Sequence, residues 1–168
     1  MFTSAAQGFR HYAMQKIALL GSAIFALILG ISVYLLGRDW ASTLFLTPFA
    51  AYQPETAGSF GWPGLVLPSL LHAYAFSLLL ILALGPGRYA RQIGALSWFF
   101  IAAGLEVLQA EYFQPLFSVP NPHPSAATLT ASIHSYVVNG QFDFGDLVAS
   151  AVGCVLAFAI ASVVEDIK

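Results

Sequence analysis

The sequence predicts an all-α integral membrane protein, a four-helix bundle that forms a single domain over residues 1–168. Charged residues make up 8% of the chain and hydrophobic residues 58%, whereas about a quarter of the residues in soluble globular domains are charged. Eight acidic and six basic residues provide too little polar surface for a water-soluble chain of this length. The third observation is a set of four long apolar runs.

These runs cover residues 17–36, 65–84, 93–112 and 147–164. A hydrocarbon core of about 30 Å requires about 20 helical residues. Lipid offers no partner for backbone N–H and C=O groups, and the runs lack the alternation of barrel strands, so each is expected to be a helix. No A-x-A cleavage motif follows the first run, which predicts a retained helix, preceded by an interfacial lead-in.

The basic residues predict the orientation. Only Arg38 falls on one side of the predicted helices, and the other five fall on the opposite side: Arg10, Lys16, Arg88, Arg91 and Lys168. Positively charged flanks stay in the cytoplasm, so both termini are expected inside and the connections 37–64 and 113–146 outside. A net charge of −2 without a basic face argues against nucleic-acid binding.

Six polar residues near the outer ends of the helices form the candidate site: His72, Glu106, Gln109, Asp143, Asp146 and Ser150. An ionisable group in lipid costs about 2.5 to 3.5 kcal/mol, so these side chains are expected to face the bundle. The E-x-x-Q spacing gives the third helix one polar face, and Asp146, Ser150 and Gly153 give the fourth another. The two faces are expected to meet in a polar pocket.

The acids in this set admit different interpretations. For Asp143 and Asp146, capping of the fourth helix in a solvated turn is the simpler one. Glu106 is expected too deep for capping, so it needs a partner, with His72 or Gln109 nearest in depth.

No cofactor or metal is predicted. His72 alone is more often a buried neutral imidazole than an axial ligand to haem or chlorophyll, and a second histidine at matching depth is missing. His123 and His134 lack metal-ligand spacing. Cys154 has no disulfide partner and is expected to be a small packing residue.

Three segments together resemble the VanZ-like family of small bacterial membrane proteins. They are "LHAYAFSLLL" with His72 and Phe76, "LEVLQ" with Glu106 and Gln109, and "GQFDFGDLVASAVGCVLA", which keeps Gly140, Asp146, Leu147, Ala149 and Gly153. The resemblance covers residues 65–164 and implies a bundle in the bacterial inner (cytoplasmic) membrane. The chain departs from the family at Gln141, where arginine is usual, at Ser150, where asparagine is usual, and at "LPS", which replaces an Asp-Lys pair.

Two functions remain open. The favoured hypothesis is a non-catalytic accessory subunit of a larger bacterial membrane complex, which the connections 37–64 and 113–146 contact outside the membrane. It rests on the length and apolar content of those connections and on the missing arginine, which removes the bidentate partner of Glu106 or Asp146. The alternative is a stand-alone envelope protein that binds or modifies an outer-leaflet amphiphile or antibiotic, as in glycopeptide resistance. Glu106 would then be a general base.

Overall fold

The computed structural model describes residues 2–37, 51–52, 60–113, 115 and 141–166. Its helices are α1 (Phe2–Gly37), α2 (Gly61–Leu84), α3 (Arg88–Leu108) and α4 (Phe144–Asp166), and these described ranges contain no strand. All four helices are long and apolar enough to cross a membrane. The predicted all-α fold with four membrane helices is therefore confirmed. Most of the two long connections, including His123 and His134, lies outside the described residues.

Every helix begins earlier than the apolar runs predict. α1 is one continuous helix from Phe2 and not a span with a separate lead-in, although only His11–Gly37 qualifies as a membrane span. Residues 2–16 contain no proline and several good helix formers, so nothing in this stretch stops the helix. α3 begins at Arg88, directly after Gly87, whose φ of 119° favours glycine.

α3 also ends earlier, at Leu108 rather than at residue 112. The amides of Gln109 and Ala110 bond to carbonyls three residues back, Glu106 O at 3.0 Å and Val107 O at 3.0 Å. Such tightened turns are common at helix C-termini. The end of α3 therefore falls at its polar residues, and Glu106 lies in the last turn.

The helices pack around α2, which contacts the other three; α1 and α3 run antiparallel to α2, and α4 runs parallel to it. We call the end where α2 finishes, α3 begins and α4 finishes the Arg91 end, and the opposite end the Glu106 end. The hydrophobic core is formed by buried residues of α1, α2 and α4. They are Leu19, Ala23, Ala26, Ala75, Leu78, Ile81, Ala157 and Ala161. Most of these residues are alanines, which allow the close backbone approach typical of membrane helices.

Two glycines make the closest helix contacts. A Cβ added at Gly153 would lie 2.9 Å from the backbone nitrogen of Tyr74 and closer still to the carbonyl oxygen of Leu70. A Cβ at Gly94 would lie 2.8 Å from the backbone nitrogen of Ile81. Because backbone atoms cannot move aside as side-chain tips do, the approach of α2 to α4 at Gly153 and to α3 at Gly94 requires a residue without a side chain.

Large apolar side chains cover the outside of the bundle. Phe25 on α1, Phe100 on α3 and Val155 on α4 are each about two-thirds exposed, at 68%, 68% and 66%. Exposure of this kind is costly in water but matches the hydrocarbon of a bilayer. Together with the four apolar helices, it indicates a multi-pass membrane protein.

Candidate functional site

The polar residues at the Glu106 end differ in burial. Glu106 is 8% exposed, Gln109 4% and Ser150 5%, so these three are buried although they are polar. Asp146 is half-buried and Asp143 is exposed. A buried carboxylate is stable only where hydrogen-bond donors surround it.

Glu106 meets the residue that precedes α4. Its Oε2 accepts a hydrogen bond from the backbone nitrogen of Asp143 at 3.3 Å. Because α3 ends at Leu108, Glu106 lies about 3 Å along the axis from the helix end, not the ~9 Å that an end at residue 112 implies. It is therefore shallower than the sequence predicts, and it contacts the start of α4.

Asp143 is the N-cap of α4. Its carboxylate Oδ1 accepts the amide of Gly145 at 2.7 Å, and its carbonyl accepts the amide of Leu147 at 3.2 Å. A side-chain acceptor for a first-turn amide together with a carbonyl that receives the first helical bond defines an N-cap. Of the two aspartates for which capping was the simpler interpretation, Asp143 makes the side-chain cap.

Asp146 bonds to a different helix. Its Oδ1 accepts the hydroxyl of Ser69 on α2 at 2.6 Å. A short O–H···O⁻ bond of this kind is among the stronger side-chain contacts. Ser69 was not among the candidates that the sequence identifies. The available signal was a hydroxyl near the start of an apolar helix, at the same membrane depth as Asp146.

Two residues on the polar face of α4 contact α2. Asp146 bonds Ser69, and Gly153 on the same face contacts the α2 backbone at Leu70 and Tyr74. The expectation that the polar faces of α3 and α4 meet in a pocket stays a prediction. At the Glu106 end, α3 contacts the start of α4 through the amide of Asp143, which lies before the first helical turn.

His72 is held within its own helix. Its Nδ1 lies 2.7 Å from the carbonyl oxygen of Pro68. Because a carbonyl only accepts hydrogen bonds, Nδ1 carries the proton in this contact. The ring stacks on Phe76 at 6.3 Å, and Phe76 stacks on Trp98 of α3 at 4.4 Å. The structure thus places His72 in an aromatic contact between α2 and α3, apart from the contact between Glu106 and Asp143.

The acids at the Glu106 end make hydrogen bonds to other residues of the protein. Glu106 accepts a backbone amide, Asp143 caps a helix, and Asp146 accepts a serine hydroxyl. The sequence holds no lysine or arginine between Arg91 and Lys168, so neither the rest of α3 nor α4 supplies a cation. Within the described ranges, no three His, Cys, Asp or Glu side chains could hold a metal ion.

The chain matches no protein-family model, no curated protein and no solved structure. The resemblance to VanZ-like proteins stays a prediction.

Proposed function

We propose that this chain is a VanZ-like, non-catalytic accessory subunit of a larger protein complex in the bacterial inner membrane. Both termini lie in the cytoplasm, and the connections 37–64 and 113–146 contact the partner outside. The observation that carries the proposal is the bond between Glu106 and the amide of Asp143, because the most buried acid of the cluster there accepts a hydrogen bond from the protein's own backbone.

This bond joins the two ends of the third connection. Glu106 lies in the last turn of α3, where the connection begins, and Asp143 lies where it ends. Joining them fixes the base of a segment of about 30 residues and removes part of the entropy cost of ordering it on a partner. A loop whose two ends are already held together loses less entropy when it binds a partner.

The same geometry disfavours catalysis at Glu106. A general base must reach the proton that it abstracts, whereas this carboxylate is 8% exposed and bonds to a backbone amide. Gln141, at the position where the VanZ-like pattern has arginine, is exposed and carries no charge to orient an anionic substrate.

The test compares two matched variants in the native host. Glu106→Gln changes the buried acid, and Glu111→Gln makes the same change at an exposed acid five residues later. We expect the wild type and Glu111→Gln to co-purify with a stoichiometric partner in mild detergent. Glu106→Gln should reduce the co-purified partner several-fold, because the amide end of glutamine accepts the Asp143 bond less strongly than a carboxylate does.

The outcome also separates the two functions. A chain that purifies alone in mild detergent contradicts the subunit proposal. If, in addition, the Glu106→Gln variant loses the wild type's effect on antibiotic susceptibility while its protein level stays unchanged, the result favours the stand-alone envelope protein over the accessory subunit.

A further inference from the structure

A lipid-facing groove runs between α3 and α4. It has a volume of about 350 Å³ and an entirely apolar accessible lining. Its walls come from Ala95, Leu96 and Phe99 on one helix and from Ala151, Val155 and Phe158 on the other. Leu96 is 54% exposed and Val155 66%, so the groove opens sideways to the membrane.

The groove follows the first half of α3, the half nearer the Arg91 end. Its lining on α3 extends from Gln92 to Phe99, which is about 10 Å at 1.5 Å per residue. Gln92 is the α3 lining residue nearest the Arg91 end, and the lining continues from there toward the middle of the helix. An acyl chain that enters from the nearer head-group layer has this direction.

A cation lies one turn beyond the Arg91 end of the groove lining. Arg88 precedes Gln92 by four residues, so both lie on one face of α3, and Arg88 is exposed. The neighbouring Arg91 is already neutralised, because its Nη1 lies 2.7 Å from Oε2 of Glu165. Within the described part of the chain, no acidic side chain pairs with Arg88. Its charge is therefore available to an anionic group at head-group depth.

The volume fits an acyl chain better than a helix. A helical segment of the same ~10 Å length, about 10–12 Å across, occupies on the order of 1,000 Å³. The groove holds only a third of that volume, so a partner helix could insert only side-chain tips. A single hydrocarbon chain can fill a narrow apolar groove and bury its lining completely.

We propose that this groove binds one acyl chain of an anionic phospholipid whose phosphate pairs with Arg88. This inference is independent of the subunit proposal. It assigns α3 and α4 a lipid-binding function at the end of the bundle opposite the polar cluster.

The test is photo-crosslinking in bilayers of phosphatidylglycerol and phosphatidylcholine that carry the same mid-chain diazirine. The labelled peptides of the full-length protein are mapped by mass spectrometry. We expect the phosphatidylglycerol probe to label the groove stretches 92–99 and 151–158 several-fold above the exposed α1 stretch 17–31. Arg88→Gln should lower that labelling about fivefold, the factor for one cation against an anionic surface.

Two controls make the result specific. Lys16→Gln removes a cation near the same end of α1, away from the groove, and should leave groove labelling unchanged. Ala151→Leu fills the groove and should abolish its excess labelling, whereas Ala18→Leu adds the same side chain to the exposed face of α1 and should not. Both leucine variants must elute from size-exclusion chromatography at the same volume as the wild type, which shows that they are folded.

Three outcomes would overturn the inference. The first is groove labelling no higher than that of α1. The second is equal labelling by both lipids, which removes the function of Arg88. The third is a groove that is protected in the native complex and labelled only after partner removal, which would show that a partner subunit occupies it.

Discussion

The two ends of the bundle hold their acids in different ways. At the Arg91 end, Oε2 of Glu165 accepts two hydrogen bonds, one from Nη1 of Arg91 at 2.7 Å and one from the backbone nitrogen of Gly87 at 3.3 Å. At the Glu106 end, Glu106 and Asp143 each accept a backbone amide, and Asp146 accepts the hydroxyl of Ser69. The contacts compared are therefore a pair of opposite charges at one end and three hydrogen bonds from neutral donors at the other.

This difference has consequences for stability. Removing one partner of a partly buried ion pair leaves the other charge poorly solvated, so a single substitution there is costly. A hydrogen bond from a neutral donor to a carboxylate contributes about 1.5 kcal/mol or more, and at the Glu106 end the three contacts are separate, so one substitution removes only one of them. We therefore expect the Arg91 end to be more sensitive to a single substitution.

The largest effect is expected between the two ends. Gly153→Ala places a Cβ against the backbone of Leu70 and Tyr74, so α2 and α4 must separate and both ends lose contacts. We expect a loss of about 3 kcal/mol in the free energy of unfolding in detergent, at the upper end for overpacked sites. Gly104→Ala is the control, since its Cβ meets nothing within 4 Å. Equal stability of the two variants would contradict the close contact.

Next in size is the ion pair. Arg91→Gln should lower the free energy of unfolding by about 2 kcal/mol, because Glu165 is 18% exposed and loses its cation. The double variant Arg91→Gln with Glu165→Gln should recover part of that loss, since no charge is then left unpaired. A double variant less stable than Arg91→Gln alone would show that Glu165 does not depend on the cation.

The Glu106 end should respond less to each change. Ser69→Ala removes the donor to Asp146 and should cost about 1.5 kcal/mol, the lower end of the range for a hydrogen bond to a charged acceptor. Ser32→Ala is the matched control, because Ser32 is exposed and bonds only the carbonyl of Ile28 on its own helix. The control should change the free energy of unfolding by less than about 0.5 kcal/mol. A loss at Ser69 above that of Arg91→Gln would reverse the ranking of the two ends.

Sequence and structure agree on the helices because a bilayer-length apolar run has few alternatives to a helix. The helix ends were less predictable. Glu106 was expected about two turns from the end of α3, but hydropathy does not show where a helix tightens and stops, as α3 does before Gln109. Ser69 was missed for another reason. The partner of Asp146 depends on the rotation of α4 about its axis, which the close contact at Gly153 sets.

The smallest effect concerns the cap of α4 and tests whether charge matters at the Glu106 end at all. Asp143→Ala removes the acceptor for the Gly145 amide and should cost about 1 kcal/mol. Asp143→Asn keeps an acceptor and removes the charge, so it should remain within a few tenths of a kcal/mol of the wild type, because Asn and Asp cap about equally well. Both are measured by unfolding in detergent. If Asp143→Asn loses as much as Asp143→Ala, the negative charge itself stabilises this end, and the two ends of the bundle would then be more alike than their contacts indicate.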